Sequence, residues 1–255
     1  MGVYEQRTLD VELPSISPFG TTMHPITLQQ TIDLIEQRIH ANRFTQHVVV
    51  NVAKLVNMAK DDQLRKSIEC CDIVNIDGMG VVWGARLLGY DVPERVAGID
   101  LFIFLVEMAA ERSIPIYLLG AKQAVVEEVA LALQRQYAKL KVAGFHHGYF
   151  GEDEEEVVSN IRNSGAKMLF VAISSPKKEI FINKWKVSLG VDFVMGVGGS
   201  FDVIAGKVKR APLWMQRSGL EWFYRMLQEP RRMTRRYLKT NMAFIIMLIK
   251  EKIWK

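Results

Sequence analysis

The chain has 255 residues, 49% of them apolar and 24% charged, which allows one large α/β domain or a domain with an appendage and excludes wholesale disorder. The net charge of +5 is uneven: residues 206–255 hold 13 Lys/Arg against 3 Glu, and the remainder holds 20 Lys/Arg against 25 Asp/Glu. A mildly acidic body with a strongly basic tail predicts an anionic partner such as a membrane surface, a nucleic acid or a phosphorylated substrate.

In chain order, residues 1–24 read as irregular, broken by Pro14, Pro18 and Gly20. Leu28, Thr31, Ile32, Ile35 and Ile39 recur at helical spacing and predict a helix over 27–41. A β-branched run predicts a buried strand over 46–50, ended by Asn51. Residues 54–70 read as helical, with a break near Asp61-Asp62, and residues 72–76 as a central strand leading to a helix that ends near Leu88. After a loop through Pro93, Glu94 and Arg95, helix and strand alternate: helix 99–112, strand 114–119, helix 124–137, strand 141–145, helix 153–163 and strand 168–173. A helix begins at Ser174-Ser175-Pro176, and the last strand spans 191–197. Crossovers of this length suit parallel pairing. The expected fold is a Rossmann-like, doubly wound α/β sheet of about six mainly parallel strands over 1–205, with a basic helical appendage over 206–255.

The N-terminus lacks the basic start and apolar run of a signal peptide. No apolar stretch reaches the ~20 residues of a spanning helix. The two cysteines, Cys70 and Cys71, are adjacent and build no disulfide framework. A cytoplasmic protein is the expectation.

Asn75-Ile76-Asp77-Gly78-Met79-Gly80 is the stretch around which a function can be organised. An acid ends a strand, and two glycines turn the chain into a helix, at the edge of the sheet where open α/β folds bind ligands. Asp77 is either a catalytic acid or base, or a helix N-cap. Gly196-Val197-Gly198-Gly199-Ser200 follows the last strand; its small residues suit a phosphate approach or an ordinary turn. In Pro176-Lys177-Lys178-Glu179 two cations stand at a helix N-terminus, against the dipole, and read as surface charge or as a response to an anionic ligand. His146-His147 reads as loop histidines, and no Asp-x-Asp pattern is present, so no metal is expected. Arg217, Arg225, Arg231, Arg232, Arg235 and Arg236 punctuate the tail, and arginine suits bidentate phosphate contacts. On a helical wheel Arg232, Arg235, Arg236, Lys239 and Lys250 oppose Met233, Tyr237, Phe244, Ile245 and Leu248. Such a helix lies on a membrane or packs on a partner subunit.

Taken together, these residues resemble the WecG/TagA/CpsF glycosyltransferases of bacterial surface-polysaccharide assembly. The markers are Asn75–Gly80, Glu94-Arg95-Val96-Ala97-Gly98-Ile99-Asp100, Tyr117-Leu118-Leu119-Gly120, Gly148-Tyr149-Phe150 and Ser175–Glu179. They continue with Gly196–Asp202, Arg210-Ala211-Pro212, Gly219-Leu220-Glu221-Trp222 and Glu229-Pro230-Arg231-Arg232, and the likeness runs from about Ile16 to Lys239. The resemblance implies transfer, with inversion and without metal or other cofactor, from a UDP-sugar to a polyprenyl-diphosphate-linked acceptor. It implies Asp77 as general base, Asn51 near the acceptor, and Arg95, Arg225, Arg232 and Arg235 at phosphates. The expected substrate-binding set is completed by Gly120, Tyr149, Lys178, Glu179, Gly198, Gly199 and Asp202. The other expected partners are an anionic membrane surface, reached from the cytoplasm, and a second copy of the chain, but no nucleic acid. Two departures from the family pattern, Val49 in place of a threonine and Lys178 in place of a glutamine, bear on sugar identity. The rival expectations are a membrane-bound scaffold with a decayed site and, lacking its glycine fingerprint, a nicotinamide oxidoreductase.

Overall fold

The computed structural model describes residues 13–254, apart from the side chains of Arg232, Arg235, Arg236 and Trp254. The elements are α1 (Leu28–His40), β1 (Thr45–Val50), α2 (Val52–Met58), α3 (Asp62–Glu69), β2 (Ile73–Ile76), α4 (Met79–Leu87) and α5 (Gly98–Glu111). Then come β3 (Ile116–Gly120), α6 (Gln123–Gln136), β4 (Val142–His146), α7 (Glu154–Asn163), β5 (Met168–Ala172), α8 (Lys177–Trp185) and β6 (Phe193–Gly196). The tail adds α9 (Ser200–Ile204), α10 (Leu213–Arg217), α11 (Glu221–Gln228) and α12 (Pro230–Trp254).

Local chemistry sets the boundaries. Thr27 and Gln30 form a reciprocal capping box that starts α1. Asp61 caps Leu64 N–H and restarts the chain as α3, so the expected break at Asp61-Asp62 divides two short helices.

The six strands form one all-parallel sheet in the order β2-β1-β6-β5-β3-β4. Side chains alternate between its faces, as pleating requires. Met168 and Phe170 join α1, α5 and α6 on one side, while Leu169 and Val171 join α7 and α8 on the other. The sheet is therefore buried on both faces, and its strands are continuous apolar runs. Phe102 of α5 meets Phe170 edge-on with ring centroids 4.7 Å apart, and its burial contributes roughly 1.5–3 kcal/mol.

One expectation needs correction. The strand before Asp77 is an edge strand and not a central one. Its apolar run misleads because coil covers the free edge: His24 N–H donates to Val74 O, Val74 N–H to His24 Nδ1, and Val96 N–H to Ile76 O. An edge covered this way is buried like an interior strand.

The basic tail does not stand apart from the body. Helix α12 lies along α2, and Phe244 is buried, 5.0 Å centroid to centroid from Phe19 and against Gly84 of α4. This revises the helical wheel: Met233 and Phe244 face the protein. The exposed apolar side chains are Leu238, Met242, Ile245, Ile246, Ile249 and Ile253, a stripe at helical spacing on the opposite face.

Candidate active site

The site lies at the C-terminal ends of β1, β2 and β6. Val50 pairs with Ile76, so Asn51 and Asp77 leave the sheet side by side. The Asp77 N–H still donates to Val50 O at 2.8 Å, which fixes the start of the turn. Gly78, with φ +98°, is the N-cap of α4 and makes no side-chain cap, so Asp77 is not the cap. Asn51 is a cap. Its Oδ1 accepts from Lys54 N–H at 3.0 Å and starts α2.

Asp77 is half-buried, and its carboxylate accepts the N–H of Gly98 at the start of α5. Burial pushes the carboxyl above its ordinary range; Arg95 pulls it down, Glu221 pushes it up, and the Gly98 bond and Arg225 pull it down. Two of these four neighbours come from the tail. The tail reaches them because Gly219 lies directly on Met79, where a β-carbon would come within 2.9 Å of Met79 Cβ. The chain therefore crosses just above the Asp77 turn and enters α11.

Strands β1 and β6 pair from Thr45/Phe193 to His47/Met195 and then separate. Asp72 N–H takes Gln46 O and Asp77 N–H takes Val50 O, so Val49 O points to the β6 side, where the Lys54 ammonium takes it at 2.9 Å. The same ammonium is 2.9 Å from Glu179 Oε1, and Lys178 Nζ is 2.9 Å from that oxygen too. The geometry is charge pairing off the hydrogen-bond directions, and Glu179 Oε2 has no hydrogen-bond partner among the described residues. All three side chains are buried. Burial alone would raise the Glu179 carboxyl, but the two lysines hold it at about 2. Two buried cations around one anion leave the gap between the strand ends net positive. Lys178 is thus not the surface charge that its place at a helix start suggests; its stem runs over Gly196.

Residues 16–255 match the model of the glycosyl transferase WecG/TagA/CpsF family. The chain belongs to that family and is a glycosyltransferase. A relative named N-acetylglucosaminyldiphosphoundecaprenol N-acetyl-beta-D-mannosaminyltransferase, from Bacillus spizizenii, is 37% identical over 168 residues, which are 66% of this chain and 65% of its own length. A relative of the same name from Bacillus subtilis is 36% identical over 201 residues, 79% of this chain and 77% of its own.

In this glycosyltransferase the remaining expected site residues fall at different distances from Asp77. Gly198 and Gly199 form the turn from β6 into α9, and Asp202 sits in the first turn of α9. Gly120 ends β3 against Ala172 of β5, and Tyr149 stands exposed after β4. Five strand spacings separate β4 from β2, roughly 24 Å, so Tyr149 is not part of the Asp77 cluster. The charge of Arg225 bears on Asp77, with no ion pair between them; the side chains of Arg232 and Arg235 lie outside the described residues.

Sequence reasoning missed Lys54 and Glu221 as site residues. Lys54 offered no signal, since its partner is 125 positions away. Glu221 did: it is one of 3 acids among 13 cations in the tail. A hollow of about 560 Å³ lined by Asn42, Cys70, Asp72 and Lys186 opens at the N-terminal ends of the strands, opposite the end where parallel sheets bind ligands.

Proposed function

We propose that this chain transfers a sugar from a UDP-sugar to a polyprenyl-diphosphate-linked acceptor, with inversion, in cell-surface polysaccharide synthesis. The observation that carries the reading is the half-buried Asp77 carboxylate at the strand ends, which accepts the Gly98 N–H and lies in the field of Arg95 and Arg225. Asp77 takes the proton of an acceptor hydroxyl as that oxygen bonds to the anomeric carbon. The bond from that carbon to the diphosphate breaks with its electron pair, and UDP leaves from the opposite face. Arg95, Arg225, the Lys54–Lys178 pair and backbone N–H groups after β6 meet the developing charge, with Arg232 and Arg235 assigned the acceptor diphosphate. No metal is needed in this scheme.

The relatives' names make N-acetylmannosamine the first donor sugar to test and N-acetylglucosaminyl-diphosphoundecaprenol the first acceptor. Among the described residues no helix is long and apolar enough to cross a membrane. The exposed stripe of α12, flanked by Lys239, Lys250 and Lys252, supports reversible docking of the tail on an anionic leaflet, where such an acceptor is embedded. The deciding experiment is a panel of UDP-sugars with that acceptor in the presence of chelator. One UDP released per acceptor consumed supports the reading; no acceptor-dependent release from any donor overturns it.

A further inference from the structure

Glu221 begins α11 and is partly buried among cations. Its two oxygens are divided: Oε2 is 3.4 Å from Arg95 Nη1, and Oε1 is 3.3 Å from Arg210 Nε. Arg210 in turn holds both oxygens of Asp100, in the first turn of α5, with Nη2 to Oδ2 at 2.8 Å. The result is an alternating chain, Asp100–Arg210–Glu221–Arg95, that fastens the tail to the body next to Asp77. Arg95 has its ion pair with Glu221 and none with Asp77.

That choice of partner has a chemical consequence. An arginine paired directly with Asp77 would neutralise the carboxylate and hold it in a form that takes up protons poorly. We propose that Glu221 is a positioning residue of this reaction: it holds Arg95 off the Asp77 carboxylate and so keeps the base able to take up a proton. The inference rests on Asp77 acting as the base. Two features support it. The charged groups facing Asp77 are Arg95 from the loop before α5 and Glu221 and Arg225 from α11, with the Gly98 N–H; Glu221 is the only acid among them. Arg210, which aims Glu221, has no other carboxylates than Asp100 and Glu221 among the described residues. The same arrangement leaves Arg95 a second use, since an incoming diphosphate can draw it from Glu221 without disturbing the Arg210–Asp100 anchor.

The test is the pH profile of kcat/KM for wild type, E221Q, E221D, D77N and the double variant, beside limited proteolysis of the tail. Gln keeps an oxygen for one guanidinium and removes the charge, so the acid limb should move to lower pH and the plateau should fall about ten-fold, a part of the worth of a general base. E221D, which keeps the charge, should restore the wild-type limb. Adding E221Q to D77N should cost nothing further, because both act through one group. An unmoved acid limb in an E221Q protein with an intact, protected tail would overturn the inference, as would additive losses in the double variant. A D77N enzyme running at the wild-type rate would instead remove the base reading itself, and this inference with it.

Discussion

The Lys54 ammonium stands 2.9 Å from Glu179 Oε1 and joins α2 to α8 across the opening between β1 and β6. Both side chains are almost wholly buried, and Lys178 meets the same oxygen. Removing one partner of a buried ion pair typically costs about 3–5 kcal/mol, because the other charge stays buried. Glu179→Gln is expected to destabilise by that order, since two ammonium groups then face each other without an anion. Urea unfolding of the variant beside wild type measures it. A loss below about 1 kcal/mol would show that the cluster relaxes into solvent.

Acid should weaken the fold in two windows. His47 is buried on β1 with Nε2 2.8 Å from Asn75 Oδ1, and burial pushes its pKa down from 6.5 to about 4. The unfolded chain protonates first, so the stability associated with neutral His47 is complete above pH 6.5 and is lost as pH falls toward 4. Glu179, held at about 2 by its lysines, contributes stability that is complete above 4.5 and is lost as pH falls toward 2. Each is on the order of 3 kcal/mol at most. Stability measured against pH should bend below 6.5, and His47→Gln should flatten that first bend while sparing the second.

The two faces of α12 should separate in mutagenesis. Phe244 packs on Phe19 and Gly84, so Phe244→Ala should cost about 3–5 kcal/mol and expose the tail to protease. Ile245 and Ile249 are exposed. Replacing both by Gln should leave stability within about 0.5 kcal/mol yet release the protein from anionic liposomes, as sedimentation would show. If the double variant still sediments like wild type, the stripe is not the membrane contact.

Much of the fold was legible because parallel strands buried on both faces are apolar runs, and because turns and caps carry their own residues. The apolar spacing from Leu28 marked α1, Asp61-Asp62 marked the break before α3, and the acid before Gly78 marked the strand end. The order of the strands was not legible. The edge strand before Asp77 is as apolar as an interior one, since His24 and Val96 cover it. The buried state of Lys178 and Glu179 was hidden for a related reason: charge at a helix start signals solvent unless a distant partner such as Lys54 is known. The helical wheel showed one apolar side of α12 where the packing divides two, because periodicity reports amphipathicity and not what each face meets.

Asp77 carries the central claim, and Asp77→Asn tests it with little change in shape. The reading expects UDP binding and thermal stability to stay near wild type while acceptor-dependent turnover falls ~10²–10⁴-fold. Rates of UDP release measured with and without the lipid-diphosphate acceptor, beside UDP affinity by calorimetry, decide it. Turnover within a few-fold of wild type in a folded, UDP-binding variant would contradict the account.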